Sequence, residues 1–204
     1  MTKTLFVPAK RKLEANEKKI LKISKKLPKK IAIAYSIQFQ NLAQEIKKIL
    51  SKDHKITSTI QVLGCSKPQF KNTEAILLIG SGKFHAIGLA TETNLPVYIL
   101  EKEKLSKISE DDIEELNKKQ KASYVKFLSS DKIGILVSTK PGQENLQKAI
   151  EFKKFIKDKK SYLFLSNNIS ISEFENFGID SWVNTACRRI DMDDSRIINI
   201  DKIE

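Results

Sequence analysis

The chain is short of cysteine, of aromatics and of long apolar runs, and each shortage closes off a class of function. Only two cysteines occur in 204 residues, Cys65 and Cys187. Two thiols cannot complete a common metal or cluster site unaided. The N-terminus has charges but no apolar core segment or cleavage site, so no signal peptide is read. With two thiols and no export signal, a cytoplasmic location is expected, where structural disulfides are rare. No window approaches the roughly 20 apolar residues that span a bilayer, so no membrane association is expected. Aromatics make up 7% of the residues, while Ile and Leu are abundant, a balance that suits an aliphatic α/β interior. Only His54 and His85 offer imidazoles, and neither a Ser-His-Asp order nor a zinc-type Cys/His spacing is present.

What is plentiful is lysine, and it is unevenly placed. The formal net charge is +12, and residues 1–60 hold 15 Lys and Arg against 4 Asp and Glu, so almost the whole excess lies there. Such a lobe can meet nucleic acid, an acidic protein face or an anionic membrane surface, or it can simply be a solvated surface. The stretch lacks interleaved aromatics to stack on bases and has no arginine-rich run, which makes nucleic acid a poor fit. An acidic protein face is the better match.

Short apolar runs alternate with helical patterns, the signature of βαβ units and parallel sheets. Strands are predicted over 4–7, 31–35, 56–60, 75–79, 96–100, 133–137, 162–165, 182–186 and 196–200. Helices are predicted over 12–27, 39–50, 83–93, a polar stretch running to about 129, and 143–159. The clearest is 39–50, where Phe39, Leu42, Ala43, Ile46, Ile49 and Leu50 recur at one-face spacing. A short helix over 172–176 should end at Gly178 as its C-cap. The fold class is therefore α/β, two similar units with parallel sheets flanked by helices. Residues 1–105 form a domain carrying Cys65, and residues 106–204 form a domain carrying Cys187.

Each cysteine follows an apolar, β-branched run, in Gln61-Val62-Leu63-Gly64-Cys65 and in Val183-Asn184-Thr185-Ala186-Cys187. In open α/β sheets ligands bind at that end of the strands, so the two thiols read as placed alike and as parts of a shared site. Gly80-Ser81-Gly82 sits between a strand and a helix, where backbone N–H groups can cradle an anion. It is neither a Walker loop nor a dinucleotide fingerprint, since His85 stands at the third glycine position; alone it reads first as an ordinary glycine turn. Ser138-Thr139-Lys140-Pro141-Gly142-Gln143 is read as the same strand-to-helix position in the second unit, with hydroxyls, a lysine and a glycine suited to a carboxylate or phosphate, though by itself it reads first as an ordinary helix-entry loop. His85 is better placed for a site than His54, which is expected to be exposed, and it reads equally as a satisfied helix-entry histidine. Asp191, Asp193 and Asp194 match no calcium loop and suit capping or solvation.

Taken in order, Phe6-Val7-Pro8-Ala9, the Cys65 phrase, Ile79-Gly80-Ser81-Gly82-Lys83-Phe84-His85, Gly134 through Gln143, and Thr185-Ala186-Cys187 resemble the diphthamide synthase family, archaeal 2-(3-amino-3-carboxypropyl)histidine synthase. The resemblance runs along essentially the whole chain. It implies an S-adenosylmethionine-dependent transferase with three similar α/β domains, each giving one cysteine to a central [4Fe–4S] cluster. In that family a 3-amino-3-carboxypropyl group is moved from S-adenosylmethionine to a histidine of translation elongation factor 2, the first step of diphthamide biosynthesis. By matching motifs, Cys65 and Cys187 would be cluster ligands. Gly80, Ser81, Gly82 and His85, with Ser138, Lys140, Gly142 and Gln143, would line the S-adenosylmethionine site.

The match also has departures. The family's first domain and its cysteine have no counterpart in these residues, and the chain opens near the second domain's first strand. Arg188 stands where the family has a proline, and Ile60 where it has a glycine. The expectation is a split enzyme whose first domain and third cysteine reside on a separate polypeptide, with the basic lobe as docking face for that partner or for the elongation factor. A homodimer is what the resemblance suggests. A non-catalytic scaffold subunit of the same family, and a basic RNA- or ribosome-associated α/β protein, are the competing readings.

Overall fold

Continuous apolar runs build the sheets, because a parallel strand covered by helices on both faces has no solvent side to keep polar. The computed structural model describes residues 4–64, 66–192 and 194–203. Contacts divide the chain into two compact units, Met1–Ile113 and Glu114–Glu204.

In the first unit, β1 (Lys30–Tyr35) and β3 (Ala75–Ile79) are buried along almost their whole length. They pair in parallel, with β2 (Lys55–Gln61) outside β1 and β4 (Val97–Glu101) outside β3. One face, carrying Ile31, Ile33, Leu77 and Ile79, packs against α1 (Glu17–Ser24) and α2 (Gln40–Leu50) through Ile20, Ala43, Ile46 and Leu50. The other, carrying Ala32, Ala34, Ile76 and Leu78, packs against α3 (Lys83–Thr93) through Ala86, Leu89 and Ala90. Asn94 in the left-handed region (φ 54°) ends α3.

A fifth strand, β5 (Lys104–Lys107), returns antiparallel to β4, where the sequence reading has only a polar junction. The run predicted as a strand at 4–7 forms none: residues 4–16 hold no helix or strand, and Leu5, Phe6 and Val7 are exposed. A strand exists only through a paired neighbour, and no described strand pairs with this one. The first helix is also shorter than its lysine-rich pattern suggests. It starts where the Asn16 side chain accepts the Lys19 amide at 3.2 Å.

The second unit repeats the order. From α4 (Glu110–Ser129) the chain enters β6 (Lys132–Ser138), α5 (Leu146–Phe155), β7 (Lys160–Ser166), β8 (Ser181–Asn184) and β9 (Ile197–Asn199). The sheets run β2-β1-β3-β4-β5 and β7-β6-β8-β9, so both begin second-first-third-fourth. Ile133, Ile135 and Val137 pack on Phe127, Ala149 and Phe152. On the opposite face Trp182 stacks on Phe174 at 4.2 Å. Gly134 lies opposite Trp182 in the ladder, and a Cβ there would sit 2.3 Å from the indole, which is why this strand carries a glycine. A 3-10 segment, Ile171–Phe177, ends at Gly178 with φ 57°, the expected cap.

The shared strand order fixes where ligands can bind. Crossovers leave in opposite directions from β1 and β3, and likewise from β6 and β8, opening a crevice at the carboxyl ends of each pair.

Candidate functional site

In the second unit the crevice is built from the ends of β6 and β8. Ser138, buried at the end of β6, accepts the Lys140 amide on its hydroxyl at 3.2 Å, and the Gln143 amide donates to the Lys140 carbonyl at 3.0 Å. Gly142 sits at φ 78°, a conformation that disfavours any residue with a Cβ. This turn delivers the chain to Asn145, whose Nδ2 donates to the Thr185 carbonyl at 2.7 Å. Thr185 in turn donates through its amide (3.1 Å) and its hydroxyl (2.8 Å) to the Leu136 carbonyl. Ser138, Lys140, Gly142 and Gln143 therefore occupy one loop that is tied, through Asn145, to the loop bearing Cys187.

The Cys187 loop is held from beneath by two buried amides. Asn184 Nδ2 donates to the Cys187 carbonyl (2.9 Å) and to Asn199 Oδ1 (2.6 Å), and Asn184 Oδ1 accepts the Ala186 amide at 3.0 Å. Asn199 Nδ2 donates to the Arg188 carbonyl at 3.0 Å. The Cys187 side chain itself is exposed and in no disulfide. Arg188, standing where the resembled family has proline, pairs with Asp201.

In the first unit, Gly80, Ser81 and Gly82 join β3 to α3. Gly82 has φ 87°, while a Cβ at Gly80 would meet only Ser36 Oγ at 3.8 Å; the turn needs glycine at its second position, not its first. Lys83 in the opening turn of α3 pairs with Asp112 at 3.2 Å, and the Ser109 hydroxyl and that lysine hold the Asp112 carboxyl below its ordinary range. His85 is half-buried, its ring edge-on to Phe84 at 5.2 Å. Cys65 lies outside the described residues. Its neighbours are described: the Leu63 amide donates to Ser66 Oγ at 2.8 Å, and a Cβ on Gly64 would fall 2.4 Å from Phe84 Cε1. The chain flanking Cys65 thus lies against the first turn of α3, next to Gly80–His85.

Topology corrects one equivalence read from the sequence. The Ser138–Gln143 loop follows the first strand of its unit, whereas Gly80–Gly82 follows the third. The counterpart of Gly80–Gly82 is therefore Thr185–Cys187. The cysteines also differ: Cys187 follows β8, an inner strand, and Cys65 comes after β2, the sheet edge. The strands they follow are not equivalent, and the placement of Cys65 itself lies outside the described residues.

Two further expectations change. His54 is buried, with Nδ1 2.9 Å from the Pro28 carbonyl, because the α2–β2 turn folds it under that segment. Asp191 is buried rather than capping or solvated. Removal from water, aided by the nearby Asp201 charge, pushes its carboxyl up to about 7, with Lys202, Gln120 and Lys119 pulling the other way. Asp194 instead accepts from the Arg196 backbone amide at 2.7 Å and from its guanidinium at 3.2, 3.0 and 2.7 Å, and Asp193 lies outside the described residues. The residues that sequence reasoning missed are Asn145, Asn184 and Asn199. The available signal was an asparagine closing an apolar strand, or standing at a helix start.

A family model of diphthamide synthesis proteins matches residues 1–197. The chain is 32% identical over 207 residues to the 2-(3-amino-3-carboxypropyl)histidine synthase of Pyrococcus horikoshii, covering 94% of this chain and 60% of that protein. It is 30% identical over 206 residues to the enzyme of the same name from Methanocaldococcus jannaschii, covering 94% of this chain and 57% of that one. Among solved structures it is similar to Dph2 from Pyrococcus horikoshii with a 4Fe-4S cluster. That likeness has a TM-score of 0.82 at 29% identity and covers 98% of this chain and 64% of that one. The chain thus spans about three fifths of the length of the curated relatives it matches. No described helix is long and apolar enough to cross a membrane.

Proposed function

The chain belongs to the diphthamide synthesis protein family, and on that premise we propose that it is a component of 2-(3-amino-3-carboxypropyl)histidine synthase, acting on elongation factor 2. The reaction is transfer of a 3-amino-3-carboxypropyl group from S-adenosylmethionine to a histidine of that factor. The observation that carries this reading is Cys187: an exposed thiol on a pinned loop beside the switch-point crevice of a family fold.

A [4Fe–4S] cluster is held by cysteine thiolates. Cys187 fits one such position, and Cys65 would supply another. The 204 residues hold two cysteines, so a third thiolate would come from outside them. A separate polypeptide is our proposed source. When bound, the cluster would supply the electron and the iron site that break the sulfonium C–S bond. The protein's own contribution is orientation. In the first unit the Gly80–Gly82 turn would line the substrate's seat through the Ser81 and Gly82 amides, the Gly80 amide being given to the Leu100 carbonyl, with His85 at the turn's edge. In the other unit Lys140 would set a cation against a carboxylate, with the Ser138, Gly142 and Gln143 turn shaping its seat. The basic first sixty residues would offer an acidic protein face a docking surface. A reducing cytoplasm would keep both thiols available.

A scaffold role without chemistry has one observation in its favour, the two-cysteine count. Transfer of label from S-adenosylmethionine carrying 14C in its carboxypropyl group to elongation factor 2, with this chain present in its native complex, separates the two. Catalysis requires that Cys187→Ser abolish labelling; a scaffold tolerates the change.

A further inference from the structure

Two asparagines stand where a parallel sheet would ordinarily place aliphatic residues. Asn184 and Asn199 are register partners at the ends of β8 and β9, 2% and 4% exposed. Asparagine is disfavoured in strands, and a buried amide is tolerated only when its hydrogen bonds are satisfied. Here the Asn184 amide uses its oxygen and both of its N–H groups. Flipping it would set donor against donor at Ala186, so its orientation is fixed.

The partners explain the location. Apart from the bond between the two side chains, these contacts go to the backbone on either side of one thiol: the Ala186 amide, the Cys187 carbonyl and the Arg188 carbonyl. The Ile190 amide adds a fourth contact, to the Cys187 carbonyl at 3.2 Å. An exposed loop could have satisfied those groups with water. Instead two amides buried in the sheet reach up and hold it.

We propose that Asn184 and Asn199 are positioning residues that hold the Cys187 loop as a pre-formed ligand mount, so that the thiolate binds a metal or cluster without first ordering its backbone. This rests on the reading of Cys187 as a cluster ligand. Outer-shell groups that orient a metal ligand typically change affinity about 10–100-fold when replaced, and effects of that size are expected here.

Two isosteric variants suffice. Asn199→Asp removes the donor to Arg188 while keeping the oxygen that accepts from Asn184. Asn184→Asp removes the donors to Cys187 and Asn199 while keeping the acceptor for Ala186. The first readout needs no cluster: a nitroxide attached to Cys187 in a Cys65→Ser chain, read by its resonance line shape. The parent should give a broad, slow-motion line and each variant a narrowed one. Ile156→Val, a core change elsewhere in this unit with Ile156 4% exposed, should leave the line unaltered. If both asparagine variants match the parent, or if Ile156→Val narrows the line equally, the proposal is overturned.

The second readout is the rate of iron loss to a chelator after the chain, in its native complex, is loaded anaerobically with iron and sulfide. It should rise tenfold or more in Asn199→Asp and Asn184→Asp. A Cys187→Ser chain that loses iron at the parent rate would overturn the ligand reading instead, with the line shape still deciding the clamp.

Discussion

Replacing Asp191 by Asn should stabilise the second unit, and the gain should grow with pH. Asp191 is 6% exposed and its carboxyl is raised from 3.8 to about 7, first by removal from water and then by Asp201. A raised acid penalises the fold wherever the unfolded chain is ionised. The penalty is absent below pH 3.8, grows as pH climbs toward 7 and levels off above it. Its full size is about 4 kcal/mol, of which about 2–3 kcal/mol develops between pH 5 and pH 8.

The window is clean because both histidines lie in the other unit and the Asp194 carboxyl, held down by Arg196, titrates below it. The assay is urea unfolding followed by the fluorescence of Trp182, the single tryptophan, which is buried in this unit. At about 1–3 kcal/mol per molar urea, Asp191→Asn should raise the midpoint by about 1–4 M at pH 8 and by clearly less at pH 5. The wild-type midpoint should fall over the same interval. A variant destabilised equally at both pH values would refute the reasoning, since it would mean that Asp191 is held charged by its neighbours.

Gly134→Ala should cost about 2–3 kcal/mol, because the new methyl meets the Trp182 ring, which is 1% exposed and has nowhere to go; a shifted Trp182 emission and a lower urea midpoint would report it. Gly82→Ala meets no neighbour within 4 Å, so its cost of about 1–2 kcal/mol should come only from the backbone at φ 87°. Equilibrium dialysis should show weaker S-adenosylmethionine binding for that variant, whereas Gly88→Ala, with no neighbour within 4 Å and no positive φ, should bind as the parent does.

How much of this was legible depends on range. Ile31 to Tyr35, Ala75 to Ile79 and Ile133 to Val137 are apolar at nearly every position, and a run that is buried on both faces reads the same in sequence as in the sheet. Helix α3 was legible to the residue because Gly82 and Asn94 mark its two ends locally. Strand β5 was not, since its hairpin turns at Lys102 and Glu103 with φ of 45° and 64°, without the Asn or Gly that normally announces such a turn.

At the site, the loops and Cys187 were visible as phrases, but their equivalence was misread. An apolar run followed by cysteine looks alike after an edge strand and an inner one, and strand order is a long-range property. The Asn184–Asn199 pair was invisible for the same reason: the two meet only through the register of β8 and β9. Asp191 and His54 were misjudged because burial depends on what packs over a polar turn, not on the turn's own residues.

The most direct test of the central claim is iron. The chain would be purified anaerobically from its own cells together with whatever binds it, as wild type, Cys65→Ser and Cys187→Ser, and its iron and sulfide counted alongside electron paramagnetic resonance of the reduced sample. The account predicts a reducible iron–sulfur signal in the wild type that is lost in each variant. A wild-type sample without iron, or a signal that survives both substitutions, would contradict it.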